Sequence, residues 1–132
     1  MLLELLKINK NLWTDTLSFA CRDDIEAYSA ELRYVSSKIL AFQAKALGID
    51  ADDMRIFEGG WQPMRMNYYP PCPQPELAIG LSSHSDAVGI TILLQINEME
   101  GLQIRKDGAW VPIKPLPDAF VVNVGDIMEV IN

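Results

Sequence analysis

The chain has 132 residues and a formal net charge of -7, with 49% hydrophobic and 22% charged side chains. This is one domain's worth of chain, long enough to bury a core and ordinary in composition for a globular protein. The acidic balance argues against nucleic acid or an anionic membrane surface as a partner.

The opening "MLLELLKINKNLW" is apolar, but Glu4 and Lys7 interrupt it too early for a signal peptide or a membrane span. Cys21 and Cys72 fit no metal or redox spacing, so reduced thiols in a cytoplasmic setting are expected. Apolar residues then recur at Ile25, Tyr28, Leu32, Val35, Ile39, Phe42 and Ala46, in steps of three and four. That spacing predicts an amphipathic helix. Asp23, Asp24 and Glu26 sit at its start, where the helix dipole favours anions, and Lys45 and Gly48 close its end. A short second helix is expected through "ADDMRIFE", ending at Gly59-Gly60. Both helices are expected to brace a core elsewhere.

After Gly60 the period changes. "QPMRMNYY" alternates until Pro70 and Pro71 stop it, and "LAIGLS", "GITILLQI", "GLQIRK", "AWVPIK", "AFVVNV" and "IMEVIN" follow as short runs between turn signals. Asp107-Gly108 between two such runs predicts a hairpin, because both turn residues tolerate positive φ. Many short strands with regular turns predict antiparallel sandwich or barrel architecture. The composition shift divides the chain into a helical region, 1–60, and a strand region, 61–132. There is no internal repeat. The last run, "IMEVIN", is expected to be a strand whose apolar edge lacks cover, so the sequence reads as cut off.

His84 is the only histidine, and Asp86 follows two residues later. On a strand, alternate side chains share a face, so the two would point the same way. With 18 acidic residues in 132, a carboxylate at that offset arises by chance about one time in seven, so the pair alone is weak. In "MRMNYYP" the same alternation would put Arg65, Asn67 and Tyr69 on one face and Met64, Met66 and Tyr68 on the other. A polar face opposite an apolar one suits a strand lining a ligand cavity, but the pattern alone favours a strand with one side in solvent. Trp61 and Trp110 read as core or rim aromatics, and the methionines as packing. Two imidazoles and one carboxylate with open positions are the ligand set of non-haem Fe(II) oxygenases, and the chain supplies two of the three.

The combination of "NYYPPCPQPEL", "HSD", "GLQI..DG.WVP..P.P.A" and "VNVGD" resembles the plant 2-oxoglutarate- and Fe(II)-dependent dioxygenases. The helical "YSAEL...SSKIL...AKALGI" does too, and the likeness is greatest to the SRG-type, flavonol synthase-like branch. The resemblance implies an α+β fold: N-terminal helices, then the first half of a double-stranded β-helix (jelly-roll) core, incomplete at the C-terminus. It implies His84 and Asp86 as iron ligands, Asn67 and Tyr69 as residues holding 2-oxoglutarate, and Arg65 as a residue near the substrate pocket. The implied chemistry couples decarboxylation of 2-oxoglutarate to succinate with O2-dependent hydroxylation, desaturation or demethylation of a small molecule, with ascorbate in support. Family members are usually monomers, and they continue past "GDIMEVIN" into a second histidine and an Arg-x-Ser pair for 2-oxoglutarate. The expectation is therefore a chain truncated at both ends and inactive alone. The alternative is a non-catalytic protein that keeps part of the fold as a binding module. A cupin of other chemistry is disfavoured by the single histidine.

Overall fold

The computed structural model describes residues 21–50 and 52–131. The opening apolar stretch and the first residue of "ADDMRIFE" lie outside them. The described chain divides between His84 and Ser85 into two compact units, whereas the composition shift falls at Gly59-Gly60.

The first unit is built on α1, Arg22–Leu47. Asp23 and Asp24 occupy its first turn and Lys45 its last, each sign complementing the dipole at its end. Gly48 adopts the left-handed conformation at φ 68 that ends helices, and the Ala44 carbonyl accepts from the Gly48 and Ile49 backbone N–H groups. The helix therefore runs where its sequence pattern predicts. Its less exposed face follows Ile25, Tyr28, Ser29, Leu32, Ser36, Ile39, Leu40, Gln43 and Ala44, while Val35 and Phe42 from the apolar stripe are exposed. True helical pitch, 3.6 residues, has rotated the packed face past the stripe by its last turns. The expected second helix is a 3-10 helix, Asp53–Phe57, followed by Gly59 at φ 67.

"QPMRMNYY" is not a strand. Met64 forms a single bridge, and residues 65–70 are irregular and exposed. Pro63, Pro70 and Pro71 remove three ladder donors around this short segment, which makes continuous pairing unfavourable. Gln62 instead fastens the segment to α1, its Nε2 donating to the Ser29 carbonyl at 3.0 Å. "LAIGLS" is likewise irregular, preceded by a 3-10 turn at Pro75–Leu77. Trp61, 78% exposed, and Trp110, 50% exposed, are not core residues among the described residues. Cys21 and Cys72 are exposed free thiols.

The second unit holds two antiparallel strand pairs. β1, Ile90–Leu94, pairs with β4, Phe120–Val124, in the register Ile90↔Val124, Thr91↔Asn123, Ile92↔Val122. β2, Gln103–Lys106, pairs with β3, Ala109–Pro112, across Asp107-Gly108. Those two residues have φ 51 and 81, the double positive φ of a type I′ turn. "IMEVIN" corrects the strand expectation: Asp126–Ile131 is a short helix, α2. Its apolar residues Ile127, Met128, Val130 and Ile131 fit helical spacing as well as a buried strand, and acidic Asp126 and Glu129 favour a helix start. Met128, 3% exposed, is the apolar anchor of this turn.

Candidate metal site and its strand-pair support

His84 closes the first unit. Its neighbourhood, residues 82–86, belongs to no ladder, so the strand expected to carry both His84 and Asp86 is not formed. What fixes His84 locally is a contact of 2.8 Å between its Nδ1 and the Ser82 carbonyl oxygen. When Nδ1 donates there, the tautomer places the imidazole lone pair on Nε2, as in histidines that ligate metals.

Asp86 belongs to the second unit and is half-buried. Its Oδ2 accepts two hydrogen bonds, from Thr91 Oγ1 at 2.6 Å and from Asn123 Nδ2 at 2.7 Å. Two donors on one oxygen suit an ionised carboxylate and fix its plane. The backbone is held as well: the Asp126 N–H donates to the Asp86 carbonyl at 2.8 Å, and the Gly125 N–H to that of Gly89 at 2.9 Å. Ser85 Oγ donates to Asp126 Oδ2 at 2.9 Å. "VNVGD" thus grips "SDAVG" through both side chains and main chain.

The other expected site residues lie in the first unit. Arg65 and Asn67 are exposed on irregular backbone; of the expected opposite face, Met64 is half-buried while Met66 and Tyr68 are exposed too. Tyr69 is 57% exposed. Its ring lies against Gly80, where a Cβ would stand 3.0 Å from Tyr69 Cε1. That glycine lets the ring approach the segment leading to His84.

Among the described residues, no group of three His, Cys, Asp or Glu side chains could hold a metal ion. By residue type the donors suit a divalent cation. Asp86 is an anchored carboxylate of the second unit, and His84, two positions earlier in sequence and in the first unit, is an imidazole; these are two of the three donors of a facial triad. Thr91, Asn123 and Asp126 were not singled out by the sequence reading. The signal for Thr91 and Asn123 is a lone polar residue in each of two apolar strands, "ITILL" and "FVVNV", and Asp126 closes the "VNVGD" stretch.

Comparison with known proteins agrees with the motifs. The chain is 61% identical over 112 residues to the oxoglutarate-dependent flavonoid 7-O-demethylase 1 of Ocimum basilicum, which covers 84% of this chain and 30% of that protein. It is 57% identical over 115 residues to the thebaine 6-O-demethylase of Papaver somniferum, covering 84% of this chain and 32% of the relative. Against protein SRG1 of Arabidopsis thaliana it is 54% identical over 114 residues, again 84% of this chain and 32% of the relative. The chain thus spans about a third of the length of these curated relatives. The 2OG-Fe(II) oxygenase superfamily profile matches residues 60–132, more than half of the chain. With its "HSD" and "VNVGD" segments inside that match, the chain belongs to the 2OG-Fe(II) oxygenase superfamily.

Proposed function

We propose that this chain is part of an Fe(II)- and 2-oxoglutarate-dependent oxygenase acting on a small plant specialised metabolite, with O-demethylation the favoured subtype. In this reading residues 61–132 contribute the first half of a double-stranded β-helix, and residues 1–60 the helices that flank it. The superfamily's jelly-roll fold and the antiparallel pairs β1·β4 and β2·β3 support this assignment. His84 and Asp86 are the iron ligands, Asn67 and Tyr69 hold 2-oxoglutarate, and Arg65 lies toward the substrate. The observation that carries the reading is the carboxylate of Asp86, held on Oδ2 by Thr91 and Asn123 one residue beyond Ser85 and two beyond the only histidine.

Iron bound there would supply O2 activation coupled to decarboxylation of 2-oxoglutarate to succinate and CO2, with ascorbate keeping the metal reduced. The residues of this chain do the rest. Asp86 presents a fixed anion, His84 a fixed imidazole, and the Tyr69 hydroxyl a donor to a carboxylate of the co-substrate. Hydroxylation of an O-methyl carbon yields a hemiacetal that releases formaldehyde and leaves the alcohol or phenol, which suits the demethylase names of two relatives. The acidic charge disfavours nucleic acid as a partner, and among the described residues no helix is long and apolar enough to cross a membrane. That the full-length enzyme is a cytoplasmic monomer is part of the same proposal and rests on the family resemblance alone.

A second reading rests on one fact: the 132 residues contain a single histidine, so within them the triad is incomplete. A non-catalytic binding module built on part of the fold would show the same. A chimera separates the two. Residues 21–131 replace the matching segment of the basil 7-O-demethylase, and 2-oxoglutarate-dependent formaldehyde release is measured. Activity that disappears with His84→Ala and with Asp86→Ala supports the oxygenase reading. A folded chimera without turnover supports the binding module.

A further inference from the structure

We propose that Thr91 and Asn123 are a matched pair of positioning residues that set the orientation of the Asp86 carboxylate for a divalent cation; this rests on the metal-site reading above. The argument begins with the strand register. Thr91 and Asn123 are direct partners across β1 and β4, so their side chains leave the sheet on the same face at the same level. Each is the only hydrogen-bonding side chain in its strand, among Ile90, Ile92, Leu93 and Leu94 on one side and Phe120, Val121, Val122 and Val124 on the other. Both are half-buried. A polar pair placed in an apolar strand pair needs an acceptor for its donors, or each group bears the cost of an unmade hydrogen bond.

That acceptor is one atom. The Thr91 hydroxyl and the Asn123 amide converge on Asp86 Oδ2 from two different strands, at 2.6 and 2.7 Å. A hydroxyl and an amide N–H engage both lone pairs of this oxygen and fix the carboxylate in plane and rotation about its Cβ–Cγ bond. The backbone bond from the Asp126 N–H to the Asp86 carbonyl fixes the residue's main chain as well. Asp86 therefore stands on a rigid strand pair although its own segment is irregular. Ligand carboxylates held this way bind metal more tightly than mobile ones, and loss of such a partner typically costs about 10- to 100-fold in metal affinity.

The test measures Mn(II) binding by electron paramagnetic resonance, with the 132-residue chain carried on a soluble fusion partner and no substrate present. Thr91→Val and Asn123→Leu are expected to raise the Mn(II) dissociation constant roughly tenfold or more. Thr91→Ser, which keeps the hydroxyl, should return to within about threefold of the parent on the same scale. The double variant should be only slightly worse than either single one, because both bonds end on the same oxygen. Val122→Ala, a neighbour on β4 that makes no bond to Asp86, controls for stability: it should lower the melting temperature and leave the Mn(II) constant unchanged. Co(II) absorption gives a second readout, and its band positions should shift in Thr91→Val and not in Val122→Ala. If Asp86→Ala abolishes binding while Thr91→Val and Asn123→Leu bind as the parent does, the positioning role is overturned and the metal site stands. If His84→Ala and Asp86→Ala both bind Mn(II) like the parent, the metal site itself is overturned and this role with it.

Discussion

Gly125 passes so close to Val88 that a Cβ on the glycine would lie 2.0 Å from the Val88 carbonyl oxygen and 2.7 Å from that of Asp86. Its φ is not in the left-handed region, so the requirement is space and not backbone conformation. The obstructing atoms are main chain, which cannot swing aside as a side-chain tip would. Gly125→Ala should therefore separate "VNVGD" from "SDAVG". Overpacking costs typically about 1–3 kcal/mol, and a backbone clash belongs at the upper end. Limited proteolysis of the fusion should show faster cleavage between residues 85 and 126, with weaker Mn(II) binding alongside. Unchanged protection would mean that the two segments are not clamped here.

The hairpin offers a cleaner stability test. Asp107 and Gly108 both hold positive φ, and a β-branched residue in that region costs about 1–2 kcal/mol. Gly108→Val should loosen β2·β3 by that amount, whereas Asp107→Asn should be neutral or slightly stabilising, because Asn-Gly favours the same turn. Amide exchange at Ile104 and Val111, which are register partners, reports the difference.

The same turn shows which parts of this fold are legible in sequence. Asp107-Gly108 and the three-four spacing of α1 are local signals, and local physics decided both. The stretch around Arg65, Asn67 and Tyr69 alternates like a strand, yet a strand exists only where a partner and enough donors meet it, and the flanking prolines remove donors. "IMEVIN" is too short for its period to choose between strand and helix, and Gly125-Asp126 tipped it to helix. At the site, His84 and Asp86 were visible as a spacing. Thr91 and Asn123 were not, because their role depends on register between strands about thirty residues apart in sequence.

Tyr69 and Gly80 permit a test on the co-substrate side. In the demethylase chimera, Tyr69→Phe would remove the proposed hydrogen bond to a carboxylate of 2-oxoglutarate, worth roughly 1.5–3 kcal/mol, or about ten- to a hundredfold in affinity. The apparent KM for 2-oxoglutarate should rise accordingly while Fe(II) binding stays intact. Gly80→Ala, whose methyl would meet the ring at 3.0 Å, should move the same constant in the same direction by less. Loss of Fe(II) binding in Tyr69→Phe would show that the tyrosine serves the metal and not the co-substrate.

Surface exposure leads to a prediction about association. Among the described residues the buried apolar side chains are Ala44 and Met128, while Ile79, Ile96 and Trp61 are 82%, 91% and 78% exposed. Apolar surface on this scale drives self-association. Without its fusion partner, the 132-residue chain should sediment as concentration-dependent oligomers and bind a hydrophobic dye. A monodisperse monomer with a single sharp melt would contradict this.

Metal-catalysed oxidation maps the proposed divalent-metal site at His84 and Asp86 directly. With Fe(II), ascorbate and peroxide, short-lived oxidants attack whatever lies beside the bound ion, and peptide mass spectrometry locates the damage. Oxidation and cleavage should concentrate at residues 82–91 and 121–126, with His84 itself oxidised, and should vanish from both stretches in Asp86→Ala. Damage spread over the exposed methionines, or centred on Asp23 and Asp24, and unchanged in Asp86→Ala would show that no metal site exists there.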